Sequence, residues 1–331
     1  MTHMSEHQSA MSSKQVSQPE LKTLLNGLAM GESPRWHNER LWFSDWGARE
    51  IVVVDLAGSS EVMVRLPFPS FQAICFDWLP DGRLLVVSSG AGLLLQMTLA
   101  GMLTTYADLS HFANRGWNEI VVDGHGNTYV NGGGFDLMAG EKFAPGMIVL
   151  VTPDGFVRQV ADDIAFPNGM AVTADNSRLI VAESYGKRLT AFDILGDGSL
   201  AHRRVWADLG EGVPDGICID ADGAVWYADV PNKRCVRVCE GGEVLQTINL
   251  DRGCFACMLG GPDRKTLFLI ATEWRHGQHS RNSCGANREG IDDRGTSTWC
   301  WMALRGSTAA LNGPAQKTHD VSLTSGRMKK R

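Results

Sequence analysis

The sequence predicts an all-β chain folded as a six-bladed β-propeller with an incomplete sixth blade. Two observations carry the prediction: a short phrase that recurs six times, and the turn chemistry that links strands within each repeat. The phrase is a turn with Asp, Asn or Gly, then a short apolar strand, then a small or polar break. It first reads Asn38-Glu39-Arg40-Leu41-Trp42-Phe43-Ser44-Asp45 and returns at Asp81, Gly124, Asp175, Asp222 and Asp263. With Leu41, Leu84, Thr128, Leu179, Val225 and Leu267 as equivalents, the steps are 43, 44, 51, 46 and 42 residues. A repeat of about 40–50 residues holding four short strands is the period of a propeller blade. A β-sandwich needs no such repeat.

Each unit continues into further strand candidates, as in Ile51 to Asp55 followed by Glu61 to Leu66. Asp154-Gly155, Asp197-Gly198 and Gly241-Gly242 supply the left-handed turn conformations that tight hairpins demand. The phrasing stops after Trp274-Arg275, where a sixth blade still needs its outer strands. The charge balance changes there too: residues 1–275 hold 22 Lys/Arg and 33 Asp/Glu, whereas 276–331 hold 9 and 4. The expected organisation is a polar N-terminal extension (1–26), the propeller (27–275) and an atypical basic tail (276–331). The tail reads either as the product of a frame shift or as a disordered extension.

The 331 residues are 44% hydrophobic and 21% charged, enough to bury a core without disulfide or metal staples. A net charge of −6 gives no general electrostatic reason to bind nucleic acid or an anionic membrane. No apolar run reaches the ~18 residues of a membrane span. The N-terminal stretch lacks the apolar segment of a secretory signal, so a cytoplasmic location is expected. Of the eight cysteines, Cys75 and Cys218 lie inside apolar runs, where a thiol behaves as a small hydrophobe. Cys254 and Cys257 form a CxxC with no second pair to complete a zinc site. The thiols are therefore expected to be structural.

The innermost strands of a propeller line its channel. Counting back 9 to 11 residues from the aligned positions gives Glu32, the Ala73/Ile74 region, Asn118, Asn168, Asp215 and Cys257. Four of these six are carboxylates or carboxamides in similar settings: Gly31-Glu32-Ser33-Pro34, Trp117-Asn118-Glu119, Pro167-Asn168-Gly169 and Pro214-Asp215-Gly216. An Asn or Asp before Gly is often only a turn residue. Four in register point instead to an oxygen-donor set that suits Ca²⁺ or Mg²⁺ and also accepts Mn²⁺ or Zn²⁺. The chain has no G-x-S-x-G elbow, P-loop, H-E-x-x-H or G-x-G-x-x-G motif.

These motifs, in this order, resemble the SMP-30/gluconolactonase/LRE (regucalcin-like) family from about Gly27 to Arg275. Phe166-Pro167-Asn168-Gly169 and Pro214-Asp215-Gly216-Ile217 with Val225-Trp226 carry the resemblance most strongly. It implies a six-bladed propeller with one divalent metal in its channel, and for many members hydrolysis of sugar lactones or other esters. By this resemblance Glu32, Asn168 and Asp215 are metal ligands, Asp215 is also the catalytic carboxylate, and Asn118 contacts substrate. The family's Arg two residues before that Asn is replaced by Gly116, with Arg115 one position further back, and Glu119-Ile120 stands where Asp-Gly is usual. Asp136 takes the place of a substrate-contacting acid. The expected function is a metal-dependent lactonase, with Ca²⁺ the first candidate cation and a small lactone or ester as substrate. The alternative is a non-catalytic, metal-stabilised propeller that binds a small ligand or partner.

Overall fold

Leu41 and its five counterparts all fall in the second strand of a four-stranded antiparallel sheet. The computed structural model describes residues 19–67, 72–113, 115–137 and 139–273, and the backbone of 300–305. Every regular element among them is a strand, and the sheets take a β-propeller arrangement.

Five sheets are each built from four consecutive strands. The first holds Gly31–His37, Arg40–Asp45, Glu50–Val54 and Ser60–Arg65, and the second Ile74–Trp78, Leu84–Ser88, Leu93–Met97 and Leu103–Asp108. The third holds Trp117–Val122, Thr128–Gly132, Gly146–Val151 and Val157–Ile164. The fourth holds Pro167–Val172, Arg178–Glu183, Arg188–Ile194 and Leu200–Asp208. The fifth holds Pro214–Ile219, Val225–Asp229, Arg234–Val238 and Val244–Asn249. One further four-stranded sheet joins both ends of the chain: Gly253–Gly260, Thr266–Thr272, Cys300–Arg305 and then Leu21–Asn26. The first strand of each sheet packs against the first strands of its two neighbours, and these contacts close into a ring.

The second strands are buried almost throughout because both of their faces are covered. Leu84 and Val86 pack toward the first sheet, against Trp42, Ile51 and Val53. Leu85 and Val87, pointing the other way, pack toward the third sheet, against Trp117, Ile120 and Val130. That alternation is the two-residue period of a strand. It repeats around the ring as six cores, one between each pair of adjacent sheets. The fourth strands are half-exposed, as Ser60–Arg65 shows.

Two expectations about the chain ends change. Leu21–Asn26, placed in the polar extension by the sequence, is the outer strand of the last sheet, and Leu24 and Leu25 pack on the core it shares with the first sheet. Cys300–Arg305, placed in the atypical tail, pairs with both Thr266–Thr272 and Leu21–Asn26. The last sheet thus takes its outer strands from sequence that lacks the repeated phrase. The rest of the tail (276–299 and 306–331) and residues 1–18 lie outside the described residues. The six cysteines at 75, 218, 235, 239, 254 and 257 are free thiols, all but Cys239 buried.

Candidate functional site

Four of the first five inner strands carry an extra residue in their pairing. The pairing slips between Glu32 and Arg35, Trp117 and Glu119, Pro167 and Met170, and Pro214 and Ile217. Glu32, Asn118, Asn168 and Asp215 each sit in one of these bulges. A bulge twists its strand and re-aims the side chain it carries. The second sheet pairs without a slip, and there the equivalent position is the fully buried Ile74. In the last sheet the slip lies between Cys254 and Ala256. Cys257, the sequence-derived equivalent, therefore packs between the fifth and last sheets, with its Sγ 3.9 Å from that of Cys218.

The glycines after Asn168 and Asp215 are not turn residues. Neither has a left-handed backbone; each lets two inner strands approach closely. A Cβ on Gly169 would lie 2.6 Å from the Ile217 nitrogen and 2.7 Å from the Asp215 carbonyl oxygen. A Cβ on Gly216 would lie 2.7 Å from the Ala256 Cβ. Gly169→Ala must push apart the strands carrying Asn168 and Asp215. The expected result is a loss of about 1–3 kcal/mol in urea unfolding, the usual cost of overpacking, together with weakened divalent-cation binding in calorimetry.

Buried acids at the ends of second strands fix the approach to these bulges. The Asp45 carboxylate accepts hydrogen bonds from the amides of Ala29 and Met30, both at 2.9 Å, just ahead of Glu32. Glu183 accepts from the Ala165 amide at 2.8 Å, three residues before Asn168. Arg188 and Arg203 pair with Glu183 at 2.9 and 3.2 Å. Burial opposes ionisation of Glu183, but hydrogen bonds from Arg188 and Thr190 prevail and hold its carboxyl below the usual range.

The two carboxamides are oriented by their neighbours. Asn118 Nδ2 donates to the Pro167 carbonyl at 3.1 Å, and Asn168 Nδ2 donates to Ser184 Oγ at 3.3 Å. Ser184 in turn donates to the Pro214 carbonyl at 2.6 Å. Each of these contacts uses one of the two Nδ2–H donors, so each amide keeps a second N–H as well as Oδ1 as an acceptor. Asn131 donates to the Asn168 carbonyl at 2.6 Å and accepts from the Glu119 amide at 3.1 Å, locking the third sheet to the fourth.

Two buried acids, Glu32 and Glu119, and the partly buried Asp215 share this region. Glu32 is 8% exposed, and its carboxyl is pushed well above the usual range by burial first, then by the charges of Asp215 and Glu119. Burial likewise pushes Asp215 well up; a hydrogen bond from Asn168 opposes this and the Glu119 charge adds to it. Glu119 is better supported. It accepts from Arg35 Nη2 at 3.1 Å, Ser33 Oγ at 3.2 Å and the Ile120 amide at 2.8 Å. Arg35 also donates to the Ile120 carbonyl at 2.7 Å and faces Asp77 at 3.8 Å, tying the first three sheets together. Glu32 and Asp215 make no such ion pair: the Arg35 charge only partly offsets the rise at Glu32, and at Asp215 the opposing contact is the hydrogen bond from Asn168. Two carboxylates and two amide oxygens fit a hard divalent cation. Among the described residues no three His, Cys, Asp or Glu side chains form a metal-holding group, so the fit depends on the carboxamides.

An open pocket of about 700 Å³ lies at the mouth beside these residues. Asn118, Arg115 and Asp136 line it, so three residues singled out from the sequence meet there. Pro167 also lines it, whereas Glu32, Asn168 and Asp215 do not. Arg115 is held by Glu141 through two contacts at 2.7 and 2.6 Å, and Asp136 Oδ1 accepts from the Ala139 amide at 3.0 Å. Sequence reasoning missed Glu119, Arg35 and Asp77 as parts of the site. The available signal was the adjacent polar pair Asn118-Glu119 opening an apolar strand, which alternation alone cannot place on one face.

Relatives agree with this architecture. A regucalcin of Xenopus laevis is 32% identical over 132 residues, covering 38% of this chain and 44% of its own length. A regucalcin of Danio rerio is 26% identical over 174 residues, covering 51% and 58%. The chain thus spans about half the length of these two regucalcins. A diisopropyl-fluorophosphatase of Loligo vulgaris is 29% identical over 202 residues, covering 55% of this chain and 63% of its own. Among solved structures, a luciferin-regenerating enzyme superposes with a TM-score of 0.70 at 18% identity, covering 87% of this chain and 96% of its own. A gluconolactonase from Xanthomonas campestris superposes at 0.65 and 20% identity, covering 86% and 89%. At such identities the superpositions speak to fold. The sequence model of the SMP-30/Gluconolactonase/LRE-like region matches residues 30–273. The chain belongs to the SMP-30/gluconolactonase/LRE-like family.

Proposed function

We propose that this chain is a metal-dependent hydrolase that opens a lactone or related small ester in the channel of a six-bladed propeller, the sheet joining both chain ends counting as the sixth blade. The observation that carries the reading is that the buried Glu32 and the partly buried Asp215 lie near enough for the Asp215 charge to raise the Glu32 carboxyl, while neither is in an ion pair among the described residues. Glu32, Asn168 and Asp215 would hold one divalent cation, Ca²⁺ first, with Mg²⁺, Mn²⁺ and Zn²⁺ compatible with oxygen donors. When bound, the cation supplies Lewis acidity to a carbonyl and stabilises the oxyanion that forms. Asp215 takes a proton from the attacking water as the new C–O bond forms. The ring C–O bond then breaks, and the departing alkoxide oxygen recovers that proton to give the hydroxy acid. Asn118, held by the Pro167 carbonyl, orients the ester oxygens.

Support for hydrolysis comes from the family, which includes a gluconolactonase and a diisopropyl-fluorophosphatase. Among the described residues no helix is long and apolar enough to cross a membrane. Dialysis against a chelator should abolish lactone hydrolysis in a pH-stat assay, and Ca²⁺ should restore it. Glu32→Gln should lower cation affinity by about tenfold or more in calorimetry, since removing even an outer-shell partner of a metal costs about 10–100-fold. Undiminished turnover after chelation would overturn metal dependence. Ligand binding without turnover of any lactone or ester would favour the non-catalytic alternative.

A further inference from the structure

One wall of the mouth pocket is aromatic. Phe135, Phe166 and Leu137 line the pocket, and Phe143 and Tyr185 extend the same surface outward. Phe166 and Tyr185 stack with ring centroids 5.0 Å apart and an interplanar angle of 24°, and Phe143 stacks on Tyr185 at 5.7 Å and 26°. Phe135 lies 5.5–5.6 Å from the other three rings. Phe143 and Tyr185 remain about half exposed although aromatic neighbours surround them. A contiguous exposed apolar surface of this kind marks a ligand-binding face.

Two further observations bear on the same wall. Phe166 has a φ of 61°, a left-handed conformation that is rare for a bulky side chain. Hydrogen bonds from the Ser184 amide to the Phe166 carbonyl and from the Tyr185 amide to the Ala165 carbonyl, both 3.1 Å, hold it there. Strain of this type persists where surrounding structure enforces it, and it clusters at ligand clamps. Arg115 is gripped by Glu141, and Asp136 Oδ1 is taken by its own loop, so the two charged side chains expected to contact substrate are already engaged.

We infer that the acyl portion recognised here is apolar: the substrate is a lactone or ester bearing an aryl or alkyl substituent that packs on the Phe135–Phe166–Tyr185 wall while its carbonyl reaches Asn118. This rests on the lactonase reading for the chemistry, but the specificity can be tested by binding alone. Two non-hydrolysable δ-lactams, one phenyl-substituted and one polyhydroxylated, would be titrated calorimetrically into the full chain in Ca²⁺ buffer. The phenyl lactam should bind at least about tenfold tighter, because a single methylene in an apolar pocket is worth about 10–200-fold. Tyr185→Ser and Phe143→Ser, both at half-exposed positions, should each narrow that ratio. Equal or tighter binding of the polyhydroxylated lactam would overturn the inference, as would a ratio unmoved by either substitution. If the phenyl lactam is preferred but no lactone is hydrolysed, the lactonase reading fails and the specificity stands. If lactones are hydrolysed without that preference, the reverse holds.

Discussion

Asp215→Asn should abolish lactone hydrolysis while making the metal-free protein more stable. The first effect follows from removing both a cation ligand and the group that accepts the water proton. General base catalysis alone contributes about 10²–10⁴-fold, so kcat/KM should fall by at least about 10² at saturating metal. The second effect follows from burial. The folded Asp215 holds its proton more tightly than it would in the unfolded chain. Stability from such a group is complete below the unfolded carboxyl range near pH 4 and is lost as pH rises through the raised folded value. An uncharged amide of the same shape escapes that loss. Urea unfolding with chelator present should therefore show the wild type weakening from pH 4 to 7 and the variant weakening less. A variant that keeps its activity would remove Asp215 from the chemistry. One that is less stable at pH 7 without metal would contradict the buried-charge account.

Arg35→Met should be the most destabilising single change near the channel. Its guanidinium reaches Glu119 and the Ile120 carbonyl and faces Asp77, and all three side chains are mostly buried. Removing one partner of a buried ion pair costs about 3–5 kcal/mol because the remaining charge is stranded. The pH dependence has a definite sign. Burial raises Glu119 and Asp77, and Arg35 opposes the rise in both. Without Arg35 both should rise further, so the penalty should be largest at neutral pH and shrink as the acids protonate. Arg35→Met combined with Glu119→Gln should recover part of the loss, which a double-mutant cycle by urea unfolding would measure. Equal destabilisation at pH 5 and pH 7 would show that lost packing, rather than stranded charge, dominates.

The repeat fixes more of this protein than any single motif. Turn, apolar strand and small or polar break recur because each second strand is covered on both faces and ends at a small or polar residue. Period and alternation are local properties, so Leu41 and its five counterparts could be aligned from the sequence, and counting back from them reached Glu32, Asn118, Asn168 and Asp215. Five sheets follow from that repeat directly. The remaining sheet does not, because Leu21–Asn26 and Cys300–Arg305 are separated by almost the whole chain and neither carries the phrase.

The bulges were equally out of reach, since a one-residue slip is defined only by a partner strand. For the same reason Cys257 was aligned with the channel residues yet lies between two sheets, and Glu119 was passed over although Arg35 and Ser33 hold it beside Glu32. Nothing local explains Gly169 and Gly216; the close approach of Ile217 and Ala256 gives the reason for them. Residue types, their spacing and the donor chemistry were legible in the chain by itself. Which carboxylate is paired, which arginine is committed and which aromatic rings form one wall were decided by tertiary structure, because each depends on contacts between residues far apart in sequence.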